Sequence, residues 1–292
     1  MNRVLVSPRR NSAALFIVST IAACTTNEVI VHHSGSGEDG GGVGSSADGG
    51  TTTITLPDGS TVIVESGGPA QGAGDPPFGA SSGGTGGASG VAGATMKTGA
   101  SGITYRLVVP QSPAKPSPLL VVYSGTEGGA TMTMNLQSLG PTTNTDGFIR
   151  AVLDGVTYNG NGQAGAEVLD EVRAKYDIDN DRTYLLGESA GSTAALSLGF
   201  HLRQSYFAAY WANDVNATDT PAQNASALGF APNGQAGPGG DVPDATSIVT
   251  AMKNAGYILP SPAPYAGAGS GTHGDPNQFI AAISFFPGKS RK

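Results

Sequence analysis

The chain has 292 residues, a formal net charge of −7, only 13% charged residues and 45 glycines. It shows no basic stripe, which excludes nucleic acid as a partner, and its single cysteine, Cys24, excludes an intrachain disulfide. Much of the first hundred residues is Gly, Ser and Thr, too poor in large apolar side chains to offset the entropy of ordering, so one domain of roughly 190 residues is expected after it.

Residues 1–23 read as a signal peptide. Arg3, Arg9 and Arg10 precede the short apolar run Ala13–Val18, and Ile21-Ala22-Ala23 follow. The run is too short to span a bilayer. Ile-Ala-Ala-Cys resembles a bacterial lipobox, in which Cys24 is lipidated and becomes the N-terminus. The expected location is therefore the bacterial cell envelope, as an outer-membrane lipoprotein or extracellularly, with the membrane touched through a lipid anchor only. Residues 24–100 read as a disordered Gly/Ser-rich tether. His32 and His33 in it are solvated tail residues. The segment 51–65 is an exception, because Thr52–Leu56 and Ser60–Val64 alternate apolar and polar around Pro57-Asp58-Gly59, a hairpin signal.

The folded domain is expected over 101–292. Ile103–Pro110 alternates and ends at Pro, as an outer strand does. Leu119–Tyr123 is continuously apolar, the mark of a strand buried on both faces of a parallel sheet, and Ser124–Gly129 is the loop after it. Phe148–Leu153 is the next strand, and Ala164–Lys175 carries a helical apolar pattern. The acidic stretch Tyr176–Arg182 reads as turn chemistry, since a calcium loop would need a Gly and a distal Glu that are missing. Thr183–Leu186 is then a strand, Gly187-Glu188-Ser189-Ala190-Gly191 a tight turn, and Ser192–Phe200 a helix rich in Ala and Leu. Tyr206–Ala212 is a strand with core aromatics, Ala227–Ala231 a weak strand, Asp241–Asp244 the start of a helix that Gly256 stops, and Phe279–Phe286 a closing helix. Alternating strands and helices of this size give an α/β class with a mainly parallel sheet and helices on both faces.

A Ser between glycines on a strand-to-helix turn is the arrangement of a nucleophile elbow. The pattern G-x-S-x-G alone is weak. With 45 Gly and 27 Ser in 292 residues it is expected about 0.6 times by chance, and a second copy does occur at Gly79-Ala80-Ser81-Ser82-Gly83. That copy has no strand before it and no helix after it, so Ser189 is the candidate nucleophile.

A serine needs a base. His201, twelve residues into the elbow helix, is about 18 Å along the axis and too far. His273 remains, in a loop before the last helix. The acid that orients it should lie between the two, and the Asp candidates are Asp241, favoured because it follows the presumed last strand, then Asp244 and Asp214, with Asp219 also in the interval. Asp244 has a competing role in the first turn of its helix. The oxyanion is expected to meet the backbone N–H of Ala190 and that of Thr126.

From about Ile103 to Phe286 the domain resembles secreted esterases of the polyhydroxybutyrate depolymerase and feruloyl/acetylxylan esterase group, which have the α/β-hydrolase fold. The matching pieces are Thr104-Tyr105-Arg106 with Pro110, Leu119–Gly129, Tyr176–Asp179 with Arg182, Ser189-Ala190-Gly191, Phe207-Ala208-Ala209, Val242-Pro243 and the His273 loop. The resemblance implies a serine esterase that hydrolyses carboxylic esters (polysaccharide acyl, phenolic or polyester) through an acyl-serine intermediate, with no metal or organic cofactor. Three departures stand out. Ser124 replaces the group's His, Ser192 replaces a Gly, and Gly239-Gly240 occupy the place of its acid. They leave open an alternative, a catalytically degenerate lipoprotein of the same fold that binds a ligand or cell-envelope polymer. The sequence leaves the oligomeric state open.

Overall fold

A computed structural model describes residues 75–292, together with the backbone of strands β1 (Thr51–Thr55) and β2 (Thr61–Glu65). The leader, Cys24, the tether up to residue 50 and the turn Pro57-Asp58-Gly59 lie outside the described residues. β1 and β2 pair antiparallel with Thr53 opposite Ile63, the hairpin that the alternation predicts.

The seven-stranded sheet of the domain is built on its apolar runs. Its strands are β3 (Ala92–Thr98), β4 (Ile103–Val108), β5 (Ser117–Tyr123), β6 (Ile149–Leu153), β7 (Ile178–Glu188), β8 (Ala209–Asn213) and β9 (Asn233–Gly237). Their order is β3-β4-β6-β5-β7-β8-β9. β3 and β4 run antiparallel to their neighbours, and the pairings from β6 to β9 are parallel. The middle strand β5 is buried at every residue, as a run flanked on both faces must be.

Alternation along the strands divides the core in two. Leu119, Val121 and Tyr123 face α2 (Gly162–Lys175), α3 (Ser192–Ser197) and α5 (Val242–Asn254). Leu120, Val122, Tyr184 and Trp211 face α1 (Gly128–Thr143) and the last helix, α6 (Pro276–Ser284). The predicted three-layer α/β architecture is thus present. A short α4 (Ala225–Leu228) occupies the place expected for a weak strand, and the strand comes a few residues later. β9, Asn-Gly-Gln-Ala-Gly, has almost no apolar signal. It is held by its backbone ladder to β8 and by a bridge to Ile258. No helix among the described residues is long and apolar enough to cross a membrane.

The expectation of linker up to residue 100 does not hold for residues 75–100. β3 pairs with β4, and the segment before it is tied to the start of β7. The Ser82 N–H donates to Ile178 O at 2.8 Å and the Gly79 N–H to Asp181 Oδ2 at 2.9 Å. Glycine composition misleads here because the backbone lies almost in contact with Tyr176. A Cβ at Gly84 would overlap the Tyr176 carbonyl, and one at Gly87 would overlap its ring. These glycines mark close packing rather than flexibility. The duplicate Gly-x-Ser-x-Gly belongs to this seam. The Ser82 hydroxyl donates to Tyr176 O at 2.8 Å and accepts from the Ile178 N–H at 2.9 Å. Ser82→Ala is therefore expected to cost about 1–2 kcal/mol of stability, read by thermal melts against the parent protein.

Candidate active site

β7 delivers the elbow at the carboxyl end of the sheet. It ends at Glu188, a 3₁₀ turn covers Ser189–Gly191, and α3 follows. Ser189 sits at φ +47°, a conformation that a non-glycine residue keeps only when its surroundings enforce it. The flanking glycines show how. A Cβ on Gly187 would come within 2.6 Å of Ala195 Cβ, and one on Gly191 within 2.6 Å of Ser124 O. The turn is wedged between α3 and the end of β5, and Ser189 is held out from it.

The Ser189 hydroxyl meets His273 Nε2 at 2.8 Å. For Ser189 to donate to that nitrogen, the imidazole carries its proton on Nδ1. His273 is exposed, in a loop pinned on both sides of it. The Gly240 N–H donates to Ser270 O at 3.0 Å, and the Gly274 N–H to Asp214 Oδ2 at 2.6 Å. His201, set aside as too distant, pairs with Asp219 at 2.8 Å. The hydrogen bond to Asp219 raises its pKa, against the opposing effect of its partial burial.

The geometry separates the acid candidates. Asp241 is exposed and caps α5, its Oδ1 accepting the Asp244 N–H at 3.1 Å. That use suits an Asp just before Val-Pro at a helix start. Asp244 lies in the first turn of the same helix, with its pKa raised by partial burial and by Asp241. Asp214 is the carboxylate that reaches the histidine loop. It follows β8, is 1% exposed, and is held at φ +48°. Besides the Gly274 N–H, it accepts from Gln278 Nε2 at 2.5 Å. Gly239 leaves it room, since a Cβ there would overlap Asp214 Oδ1. Asp214 grips the backbone beside His273. Among the described residues the one histidine ion pair is that of His201 with Asp219.

Two carboxyls that the sequence did not single out complete the site. Glu188, the variable residue of the elbow, is buried, and its Oε2 accepts from Asn213 Nδ2 at 2.8 Å. Asn213 Oδ1 in turn accepts from Trp211 Nε1 at 2.9 Å. Burial first, then the charges of Asp214 and Glu127 and a hydrogen bond to Asp214, push the Glu188 carboxyl well above the ordinary range. Glu127, in the loop after β5, is solvent-exposed as a residue, but its carboxyl end turns inwards. Its Oε1 accepts the Gly125 N–H at 3.0 Å. Burial of that end raises its pKa, the N–H groups of Glu127 and Gly125 work in the other direction, and Asp154 and Asp214 raise it further. For Asp154 the balance is reversed. Burial raises its pKa, but N–H donors from Thr157 and Gly129 outweigh that and hold it below the usual value.

The expected oxyanion donors lie on the two segments that flank Ser189. Ala190 directly follows the nucleophile, and Thr126 stands in the loop after β5. That loop touches the elbow, since a Cβ at Gly125 would lie 3.2 Å from Ser189 Cβ. Among the described residues the Thr126 N–H has no hydrogen-bond partner, and no group of three or more His, Cys, Asp or Glu is placed to hold a metal ion.

No family model matches the sequence, and no curated protein matches it either. Solved structures do match. A thermostable esterase superposes with a TM-score of 0.50 at 16% identity, over 68% of this chain, which spans 62% of that esterase. The carboxylesterase EstE1 from a metagenomic library gives a TM-score of 0.49 at 15% identity, over 66% of this chain and 85% of that one. LpqC, a poly(3-hydroxybutyrate) depolymerase from Bordetella parapertussis, gives 0.47 at 17% identity, over 65% and 85%. The sheet order and the elbow at the end of β7 are those of the α/β-hydrolase fold, and this chain has that fold, which it shares with the thermostable esterase.

Proposed function

We propose that this chain is a serine esterase, exported and tethered to the cell envelope through Cys24, that hydrolyses carboxylic esters through an acyl-serine intermediate. The observation that carries the reading is the 2.8 Å contact from Ser189 Oγ to His273 Nε2 at a residue held in a strained backbone conformation. As Ser189 Oγ attacks the ester carbonyl, its proton passes to His273 Nε2. The oxyanion that forms faces the N–H groups of Ala190 and Thr126. The imidazolium then protonates the leaving alcohol, giving acyl-Ser189. Water, deprotonated by His273, attacks the acyl group, and the imidazolium returns that proton to Ser189 Oγ as the acid departs. Asp214 serves as the acid of the site by fixing the loop that carries His273, in the role expected of Asp241. The substrates in view are acylated polysaccharide, phenolic esters and polyester.

A second reading, binding without turnover, is favoured by two observations. Asp214 meets the histidine loop at the backbone of Gly274, and the Gly125 N–H beside Ser189 is taken by Glu127. Hydrolysis of p-nitrophenyl acetate and butyrate, with Ser189→Ala as control, decides between them. Turnover lost in Ser189→Ala, together with covalent labelling of the parent protein by a fluorophosphonate probe, supports the esterase. No turnover that depends on Ser189 and no labelling sinks it.

A further inference from the structure

Glu127 has no part in the acyl transfer described above, yet its carboxyl is placed against the nucleophile. The space beside Gly125 Cα is bounded by Glu127 Oε2 at 2.5 Å, Ser189 Cβ at 3.2 Å and Glu188 Cγ at 3.3 Å, measured from where a Gly125 Cβ would stand. Glu127 Oε1 takes the Gly125 N–H. A carboxyl group therefore rests beside Gly125 and the nucleophile, on a backbone donor of the segment expected to hold the oxyanion. An ionised group there opposes a developing negative charge. Turnover then depends on Glu127 being drawn aside.

The surroundings show what can draw it. The segments at this edge of the sheet, residues 124–130, 154–161, 188–191, 213–217, 238–244 and 265–275, contain seven Asp or Glu and no Lys or Arg. Apart from His273, which is engaged with Ser189 as the base, these segments offer Glu127 no cation of the protein's own, and a lasting partner has to come with the substrate. We propose that Glu127 is a specificity-determining residue, which selects esters carrying a positively charged group close to the ester carbonyl by pairing with that group and leaving the Gly125 N–H. Neutral esters meet the carboxyl in place, and esters with a nearby anionic group are repelled by it. The inference rests on the esterase reading and narrows it to a substrate class.

The test uses acetylthiocholine and its uncharged carbon isostere, S-(3,3-dimethylbutyl) thioacetate, at low ionic strength, where surface charge is little screened. The full chain, Glu127→Gln and Glu127→Ala are compared. In the parent protein kcat/KM is expected to favour the cationic thioester by about tenfold or more, the ratio that about 1.4 kcal/mol provides. Glu127→Gln brings the ratio towards one by removing the charge. Glu127→Ala also vacates the Gly125 N–H and raises kcat/KM for the neutral thioester by about fivefold or more. A ratio that both variants leave unchanged, or variants that are slower on the neutral thioester, overturns the proposal while Ser189-dependent turnover keeps the esterase reading. If no thioester and no p-nitrophenyl ester is hydrolysed through Ser189, both fall together.

Discussion

Asp214→Asn is expected to lower kcat/KM for p-nitrophenyl butyrate by about 100-fold or more, whereas Asp241→Asn leaves it within about twofold. The contrast follows from what meets each carboxylate. Two donors converge on Asp214, one on each carboxylate oxygen: the Gly274 N–H on Oδ2 and Gln278 Nε2 on Oδ1. An asparagine keeps one acceptor oxygen and turns an NH₂ group towards at least one of these donors. A buried donor left without an acceptor costs about 1–3 kcal/mol, and the nearest relief is for the Gly274 segment to move away. His273 precedes Gly274, so the movement is passed to the base, and a displacement of about 1 Å at a reacting group costs about 100-fold in rate. Asp241 is exposed and caps α5, and Asn is as good a cap as Asp. Steady-state kinetics with circular dichroism on the same samples separate lost geometry from lost fold. An active Asp214→Asn beside an inactive Asp241→Asn would return the acid to the end of β9.

The elbow and its contact with His273 were legible because their signals are local or eliminative. A strand, Gly-Glu-Ser-Ala-Gly and a helix stand in sequence, and only one histidine remains within reach. The choice of Asp214 among the acid candidates was not legible, because its place is set by a tertiary vacancy. Gly239 leaves space that Asp214 fills from the neighbouring strand, and a chain read along its length shows the glycine without the space. Apolar runs exposed the buried strands β5, β6 and β8. β9 lacked them because its residues pack through backbone hydrogen bonds and amides. The sequence reading also passed over α1. Its opening glycines, its threonines and Pro141 are poor helix formers, and Met132 and Leu136 make up for them only once packed against β5 and β6. In residues 75–100, composition pointed the wrong way, since glycines used for close approach look like glycines used for freedom.

The second large effect concerns Glu188. Glu188→Ala is expected to destabilise the fold by about 2–4 kcal/mol, because it leaves Asn213 Nδ2 without an acceptor in a closed interior. Glu188→Gln is expected to be harmless at pH 5 and stabilising at pH 8. Its amide oxygen can accept from Asn213 as the carboxyl does, and it carries no charge, as the protonated carboxyl that the raised pKa favours carries none. The sign follows from the raised pKa. Above about pH 4.3 the unfolded chain releases the Glu188 proton while the folded protein keeps it, so the wild type loses stability as pH rises towards the folded-state value. Glutamine has no proton to release and escapes that loss. Each unit by which folding raises the pKa is worth about 1.4 kcal/mol, and each kcal/mol about 2–4 °C in Tm for a domain of this size. Melts of wild type and Glu188→Gln should coincide near pH 5 and separate by several degrees at pH 8, with the variant higher. If Glu188→Gln is instead lower by the same amount at both pH values, Glu188 is ionised in the folded protein. Asp214 would then be one of two charges confined behind the nucleophile.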